Sequence, residues 1–239
     1  MYWLGLVLGE QGRAMHEWRE RKGIAIFESS ARGAYPMLLS EKFDYFETEY
    51  DPRRTADESS PRKYADIQKL QFGEGTFDIV IASDVFEHVR DDAAGYREVF
   101  RTLKQGGTLL LTVPYAHERP ETIVRVRTDG EKDIFLLEPE YHGGGGQTLT
   151  YRNYGRDLLS LLRQTGFSVM YAVTDQPELG VPPMGVIIAQ KSDFIELPPL
   201  PAAKGTMHRT VPLLPYRVFL LLKYNVVGFL RMLRQTARR

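Results

Sequence analysis

Short apolar runs alternate with polar, proline-poor segments over the first 190 residues of the chain. Buried strands are predicted at 23–27, 43–50, 76–83, 108–113, 167–174 and 184–190. Helices are predicted at 10–22, 35–40, 91–103 and 155–165. Because strands that alternate with helices form a parallel sheet covered on both faces, this pattern indicates one α/β domain over residues 1–195.

The segment 115–154 interrupts this alternation. It is long and polar, and it contains consecutive glycines from Gly143 to Gly146. Long insertions in α/β enzymes often serve as lids or substrate loops. We therefore treat residues 115–154 as an insertion that contributes to a substrate site.

The residues after Glu196 differ in charge from the rest of the chain, because they include eight Lys and Arg side chains and no Asp or Glu. Residues 196–215 are rich in proline and are predicted to form an extended linker. Residues 216–239 are predicted to form a basic amphipathic helix. Two interpretations follow: the helix packs on the acidic body, or it attaches peripherally to an anionic membrane or a partner protein.

Composition narrows the class of protein. The chain has 239 residues with a formal net charge of 0, which is typical of a globular enzyme and argues against a nucleic-acid partner. The absence of cysteine excludes disulfides, thiolate metal sites and cysteine nucleophiles. No leader and no membrane-spanning stretch is recognised, so we expect a cytoplasmic protein, with the basic helix as a potential contact to the inner face of the membrane.

Polar residues cluster after the predicted strands, where ligands of open parallel sheets bind. They are Glu28, Ser29, Arg32 and Gly33 after the first strand, Glu49 after the second, Asp66 and Ile67 further on, and Ser83 and Asp84 after the next strand. A carboxylate at the end of the second strand can accept two hydrogen bonds from ribose hydroxyls, and an Asp after the third can accept one from an adenine amino group. The set is suited to a nucleoside cofactor.

Three motifs carry a family resemblance. D-x-x-x-L-x-F begins at Asp66, F-D-x-V-x-x-x-x-x-x-E-H-V spans 77–89, and L-x-x-G-G begins at Leu103. Over roughly residues 23–190 the chain resembles the class I S-adenosylmethionine (SAM)-dependent methyltransferases. The resemblance implies a Rossmann-like sheet of seven mostly parallel strands and SAM as cofactor. It further implies Glu49 at the ribose, Asp66 and Ile67 at the adenine, and Ser83, with Asp84 beside it, near the methionine part.

The first motif departs from the family pattern E/D-x-G-x-G-x-G, because the loop from Glu28 to Gly33 contains a single glycine. A bacterial subgroup, often encoded among sugar-transfer genes, resembles this loop and the P-E-Y-H-G segment at 139–143. We therefore favour a working site in which Arg32 pairs with the SAM carboxylate. The alternative is a non-catalytic SAM-fold module that acts as a scaffold in a glycosylation or envelope complex. A nicotinamide-dependent oxidoreductase is set aside, because G-x-G-x-x-G is absent.

Histidines supply the candidates for the reaction itself. Transfer to a hydroxyl oxygen of a small-molecule or sugar acceptor benefits from a general base. His142 and His117 lie in the insertion and are the predicted catalytic residues, whereas His88 has either a structural or a site role. The spacing of His117, His142 and Glu140 fits no zinc-ligand template, so no metal site is predicted.

Overall fold

The computed structural model describes residues 1–10, 12–51, 64–142, 148–176 and 181–192, with only the backbone path given at 174–176 and 181–184. The predicted linker 196–215 and basic helix 216–239 lie outside the described residues. Their boundaries and the domain end at 195 therefore stay predictions.

The described residues form four α-helices and twelve strands. The helices are α1 Tyr2–Val7, α2 Tyr35–Lys42, α3 Asp92–Thr102 and α4 Asp157–Thr165. The strands are β1 Ala25–Ser29, β2 Asp44–Thr48, β3 Phe77–Ser83, β4 Leu103–Thr112, β5 Ile123–Val124, β6 Val126–Asp129, β7 Lys132–Phe135, β8 Tyr141–His142, β9 Thr148–Leu149, β10 Arg152–Asn153, β11 Ser168–Gln176 and β12 Val181–Gln190. Short 3-10 helices lie at Met15–Glu17 and Phe86–His88. No helix within these described ranges is long and apolar enough to cross a membrane.

Six strands form the central sheet in the order β11-β12-β4-β3-β1-β2. The β2–β1, β1–β3 and β3–β4 pairs are parallel, whereas β12 runs antiparallel to β4 and to β11. This confirms the predicted Rossmann-like α/β class. The predicted seventh strand is not found in the described part of the chain. Among the described residues, a single parallel bridge between Glu49 and Tyr64 follows β2.

Two apolar clusters lie against the sheet. One joins Phe27 and Val80 to Val99 of α3 and Leu162 of α4. The other joins sheet residues such as Ile26 to Leu4, Trp18 and Leu39, which come from the α1 region and α2. Because neighbouring strand residues point to opposite faces, Ile26 and Phe27 assign the two clusters to the two sides of the sheet. The prediction of helices on both faces is thereby confirmed.

Local capping fixes the helices next to the site. The Asp91 carboxylate accepts a hydrogen bond from the Ala94 amide at 2.9 Å and so begins α3. Gly166 adopts φ 116° and ends α4, a conformation that glycine tolerates because it has no Cβ. Both helix boundaries agree with the predicted positions to within two residues.

The predicted helix at 10–22 is wrong. Gly9 and Gly12 have φ near 70° (71° and 73°), which breaks a right-handed helix on either side of Glu10. Glu10 is 3% exposed and its carboxylate lies 3.0 Å from Arg21 and 3.2 Å from Arg13. The charged residues of this segment therefore fold around one buried carboxylate instead of forming a solvated helix. The apolar residues that precede them form α1.

The insertion consists of small antiparallel pairs, β5–β10, β6–β7 and β8–β9. Its last part is attached to the segment that follows β3. The Tyr151 amide donates to the Glu87 carbonyl at 2.8 Å. The buried Arg152 guanidinium donates to the carbonyls of Val89 at 2.6 Å and Arg90 at 2.8 Å. The insertion therefore lies next to the carboxyl end of a central strand.

Candidate functional site

The carboxyl ends of β1, β2 and β3 lie at one level of the sheet. In the parallel register, Ser29 pairs with Thr48 on one side and with Ala82 on the other. In the sheet, β2 lies on one side of β1 and β3 lies on the other side. The direction in which strands are added therefore reverses between β1 and β3. A crevice at such a reversal is the usual ligand site of an open α/β sheet.

The loop after β1 keeps a glycine-like backbone although its glycines are replaced. Ser30, which stands where the family pattern has its first glycine, has φ 61°, and its amide donates to the Thr48 carbonyl at 2.7 Å. A left-handed conformation costs a non-glycine residue about 1–2 kcal/mol. Gly33, with φ 87°, supplies the second left-handed position.

Backbone strain is concentrated at this edge. In the described ranges, Ser30 and Asp84 are the two non-glycine residues with positive φ, at 61° and 51°. Asp84 follows β3 directly, and its amide donates to the Thr112 carbonyl at 2.9 Å. Strained conformations of this kind tend to occur at functional sites. Both lie at the ends of the two strands that flank the reversal point.

Several predicted cofactor residues are accessible at this edge. Arg32, Gly33, Glu49, Ser83 and Asp84 are exposed, and the backbone of Glu49 is fixed by the Ala65 amide, which donates to its carbonyl at 3.0 Å. Beside them, the buried Thr48 hydroxyl has no hydrogen-bond partner among the described residues. The edge thus presents a cation, two carboxylates and hydroxyls to a ligand.

Glu28 is held inside the protein. Its side chain is 1% exposed, and its carboxylate accepts hydrogen bonds from the Tyr35 hydroxyl and, at 2.7 Å, from the Tyr45 hydroxyl. Burial raises the pKa of Glu28, while both tyrosine hydrogen bonds oppose the rise. Its role as a cofactor contact stays a prediction. Ser29, 5% exposed, can offer a ligand little more than its backbone.

Asp66 and Ile67 lie in a tight turn. The Asp66 carboxylate accepts hydrogen bonds from the Gln68 amide at 2.9 Å and from the Gln68 side chain at 2.9 and 3.1 Å. The Gln68 side-chain oxygen in turn accepts a hydrogen bond from the Asp91 amide at 2.9 Å, which connects the turn to the start of α3. Ile67 is 5% exposed and belongs to the apolar core. The adenine contacts assigned to these two residues stay predictions.

The two predicted catalytic histidines have different surroundings. His117 is 71% exposed, lies 3.4 Å from Glu118 and stacks near Tyr171. His142 is partly buried, and its ring centroid lies 4.7 Å from that of His88. Of the two candidates, only His142 lies next to another histidine, in the segment that follows β3 along the chain.

A compact acid–histidine cluster forms there. Ligand atoms of Glu87, His88 and His142 lie within 4.8 Å of one another. Burial raises the pKa of Glu87 to about 7, and the negative charge of Asp84 adds to the rise. Burial lowers the pKa of His88, against a hydrogen bond to Leu149 that raises it.

The sequence left a structural or a site role open for His88 and assigned no role to Glu87 beyond its place in a motif. An acid–histidine pair directly after a buried strand was the available signal. The contribution of His142 could not be read from spacing, because 53 positions separate residues 88 and 142 without any ligand template.

Comparisons with known proteins find similarity to methyltransferases. Residues 34–111 match the family model described as "Methyltransferase domain". This match covers residues from α2 to β4 and agrees with the resemblance to the class I SAM-dependent methyltransferases that the motifs carry.

Two curated relatives are similar over part of the chain. The mitochondrial arginine-hydroxylase NDUFAF5 of Danio rerio is 28% identical over 132 residues, which are 55% of this chain and 39% of the relative. An arsenite methyltransferase of Aquipseudomonas alcaligenes is 30% identical over 112 residues, which are 47% of this chain and 28% of the relative. The matched region therefore spans well under half the length of either relative.

Solved structures are similar at low identity. A SAM-dependent methyltransferase from Methanosarcina mazei shares 18% identity, with 72% of this chain and 93% of that chain covered and a TM-score of 0.44. The 1,6-didemethyltoxoflavin-N1-methyltransferase of Burkholderia thailandensis, crystallised with S-adenosylhomocysteine, shares 16% identity, with 73% and 72% covered and a TM-score of 0.43.

Proposed function

We propose that this protein is a SAM-dependent methyltransferase that transfers a methyl group to a hydroxyl oxygen of a small-molecule or glycan acceptor. The observation that carries the proposal is the edge at the reversal point of the sheet. Ser30 and Asp84 hold left-handed backbone on its two sides, and exposed polar residues follow each strand. The match of residues 34–111 to the methyltransferase domain supports the same reading.

The residues at this edge fit the parts of SAM. Glu49, an exposed carboxylate with a fixed backbone, would accept the ribose hydroxyls. Arg32 would pair with the carboxylate of the methionine part, since a guanidinium binds a carboxylate through two parallel hydrogen bonds. The buried Thr48 hydroxyl, which has no hydrogen-bond partner in the described part of the chain, marks a place where a polar ligand group would fit. When bound, SAM supplies an electrophilic methyl group on a sulfonium.

The acceptor would lie between this edge and the insertion. Methyl transfer depends mainly on alignment of the acceptor with the methyl group and on exclusion of water. The insertion, which packs on the segment that follows β3, can provide both. A hydroxyl acceptor must also lose its proton. His142, beside Glu140 at 3.9 Å, is the proposed base or substrate contact, and His117 is the weaker candidate because it is mostly exposed.

A scaffold without catalysis is the second candidate, and the replacement of family glycines by Ser30 and Arg32 is the observation that favours it. The two curated relatives are an arginine-hydroxylase and an arsenite methyltransferase, so similarity to them does not decide the reaction. Binding of SAM separates the two candidates at the lowest cost.

Isothermal calorimetry of the full chain with SAM is the test. We expect saturable binding that Glu49→Ala weakens about 10–100-fold, because hydrogen bonds to a charged group contribute about 1.5–3 kcal/mol. Glu41→Ala is the matched control: it removes an exposed carboxylate from α2, away from the edge, and should leave the affinity within about twofold. Absence of binding at about 1 mM SAM would overturn the enzyme proposal.

A further inference from the structure

We propose that Glu87, His88 and His142 form a binding site for a divalent first-row transition-metal ion. Their candidate ligand atoms lie within 4.8 Å of one another. Glu87 and His88 belong to the 3-10 helix that follows β3 along the chain, and His142 comes from β8 in the insertion. A bound ion would therefore connect the insertion to the central domain.

The carboxylate of Glu87 requires a partner that the described chain does not supply. The side chain is 0% exposed, and neither of its oxygens has a hydrogen-bond partner among the described residues. A buried carboxylate is normally paired with a cation or bound to a metal, because removal from water is costly. His88 Nε2 lies 3.8 Å from Oε1, which is beyond hydrogen-bond distance.

The orientation of His88 suits a metal ligand. Its Nδ1 lies 2.8 Å from the Leu149 carbonyl, which can only accept, so Nδ1 carries the proton. In the neutral ring the lone pair is then on Nε2. Two electron-pair donors, Nε2 of His88 and Oε1 of Glu87, thus lie 3.8 Å apart. Metal-binding histidines usually donate a hydrogen bond from their second ring N–H to a carbonyl or carboxylate in this manner.

The β8–β9 hairpin supplies both a ligand and the support for another. Tyr141 pairs with Leu149 and His142 with Thr148, so the strand that fixes His88 also fixes His142. Directly after it, the Thr150 amide donates to the Glu140 carbonyl at 2.8 Å, and the Tyr151 amide donates to the Glu87 carbonyl at 2.8 Å. The three side chains are therefore held by paired backbone on both sides of the cluster.

The ligand set indicates the class of metal. Two imidazoles and one carboxylate suit Zn²⁺, Mn²⁺, Fe²⁺ or Co²⁺, whereas Ca²⁺ and Mg²⁺ prefer oxygen ligands throughout. Three protein ligands also leave at least one coordination position open. On the basis of the proposed function, that position would bind an oxygen of the acceptor. His142 would then be a ligand and not a free base.

The test uses the full chain, stripped of metal with a chelator and titrated with Co²⁺, whose visible absorption reports its ligands, and with Zn²⁺ by calorimetry. We expect saturable binding of one ion, weakened at least about tenfold by Glu87→Gln and by His142→Gln. His117→Gln is the control, because it removes a histidine from the same insertion that is 71% exposed, and it should bind as the parent does.

Thermal melting and SAM calorimetry of the same variants show whether each is folded. Absence of saturable metal binding in a parent protein that binds SAM would overturn the metal site and leave the proposed function standing. Equal affinity in the His142→Gln and His117→Gln variants would also overturn it. Metal binding without SAM binding would keep the site and reject the proposed function instead.

Discussion

Arg152 offers a direct test of how the insertion is held to the central domain. Its side chain is 9% exposed, and its guanidinium donates to the carbonyls of Phe86, Val89 and Arg90 at 3.2, 2.6 and 2.8 Å. Asp92 lies 3.5 Å from the same group. Replacement by Met keeps the apolar stem and removes the donors. The three carbonyls and the Asp92 carboxylate would then lose their cationic partner.

We expect Arg152→Met to lower the free energy of unfolding by about 3–5 kcal/mol, the range found when one partner of a buried charged network is removed. With a urea m-value of about 2 kcal/mol/M, the unfolding midpoint falls by about 1.5–2.5 M. Arg127→Met, at an exposed position of β6, is the control and should change stability by less than about 0.5 kcal/mol. A midpoint for Arg152→Met within about 0.5 M of that control would refute the anchoring role of the guanidinium.

Three further predictions concern the edge and the tail. Ser30→Val should lower stability by about 1–2 kcal/mol in thermal melts because a β-branched residue resists φ 61°, while Ser30→Gly should stay near the parent; equal melting of the two would contradict this. Tyr45→Phe removes a hydrogen bond to buried Glu28 and should cost about 1–3 kcal/mol in urea. Burial raises the folded-state pKa of Glu28, so the stability contributed by its protonated form is present below the unfolded pKa and lost as pH rises through the folded pKa. The Tyr45 hydrogen bond opposes this rise in pKa because it is stronger to the ionised carboxylate, so the cost of Tyr45→Phe should be larger at pH 8 than at pH 4, and a cost independent of pH would contradict the assignment. Removal of residues 216–239 should abolish cosedimentation with anionic vesicles, and retained sedimentation would exclude a membrane role for the tail.

The sequence predicted the central strands and most helices because their signals are local. Phe77 to Ser83 forms a buried strand whose apolar side chains fill both faces of the sheet, and such a run is recognisable without knowledge of its neighbours. The helix at 10–22 failed for the opposite reason. A charged segment without proline predicts a helix, but Glu10 is buried against Arg13 and Arg21, a contact that depends on the fold.

The location of the candidate site followed from local sequence signals, whereas its contacts depend on the fold. Strand-end residues such as Glu49 and Ser83 could be located because parallel strands end at one edge. The partners of Glu28 could not, since Tyr35 and Tyr45 reach it from α2 and from β2. The acid–histidine cluster was missed because the pairing of β8 with β9, and not sequence spacing, brings His142 to His88.

The proposed function requires that the edge formed by β1, β2 and β3 binds SAM. A crystal structure of the full chain with S-adenosylhomocysteine is the decisive experiment. We expect the ribose hydroxyls at the Glu49 carboxylate, the amino-acid end beside Ser30 and Arg32, and the sulfur on the side of the insertion. A ligand bound away from this edge, or an edge that stays empty at saturating S-adenosylhomocysteine, would rule out the proposed binding site.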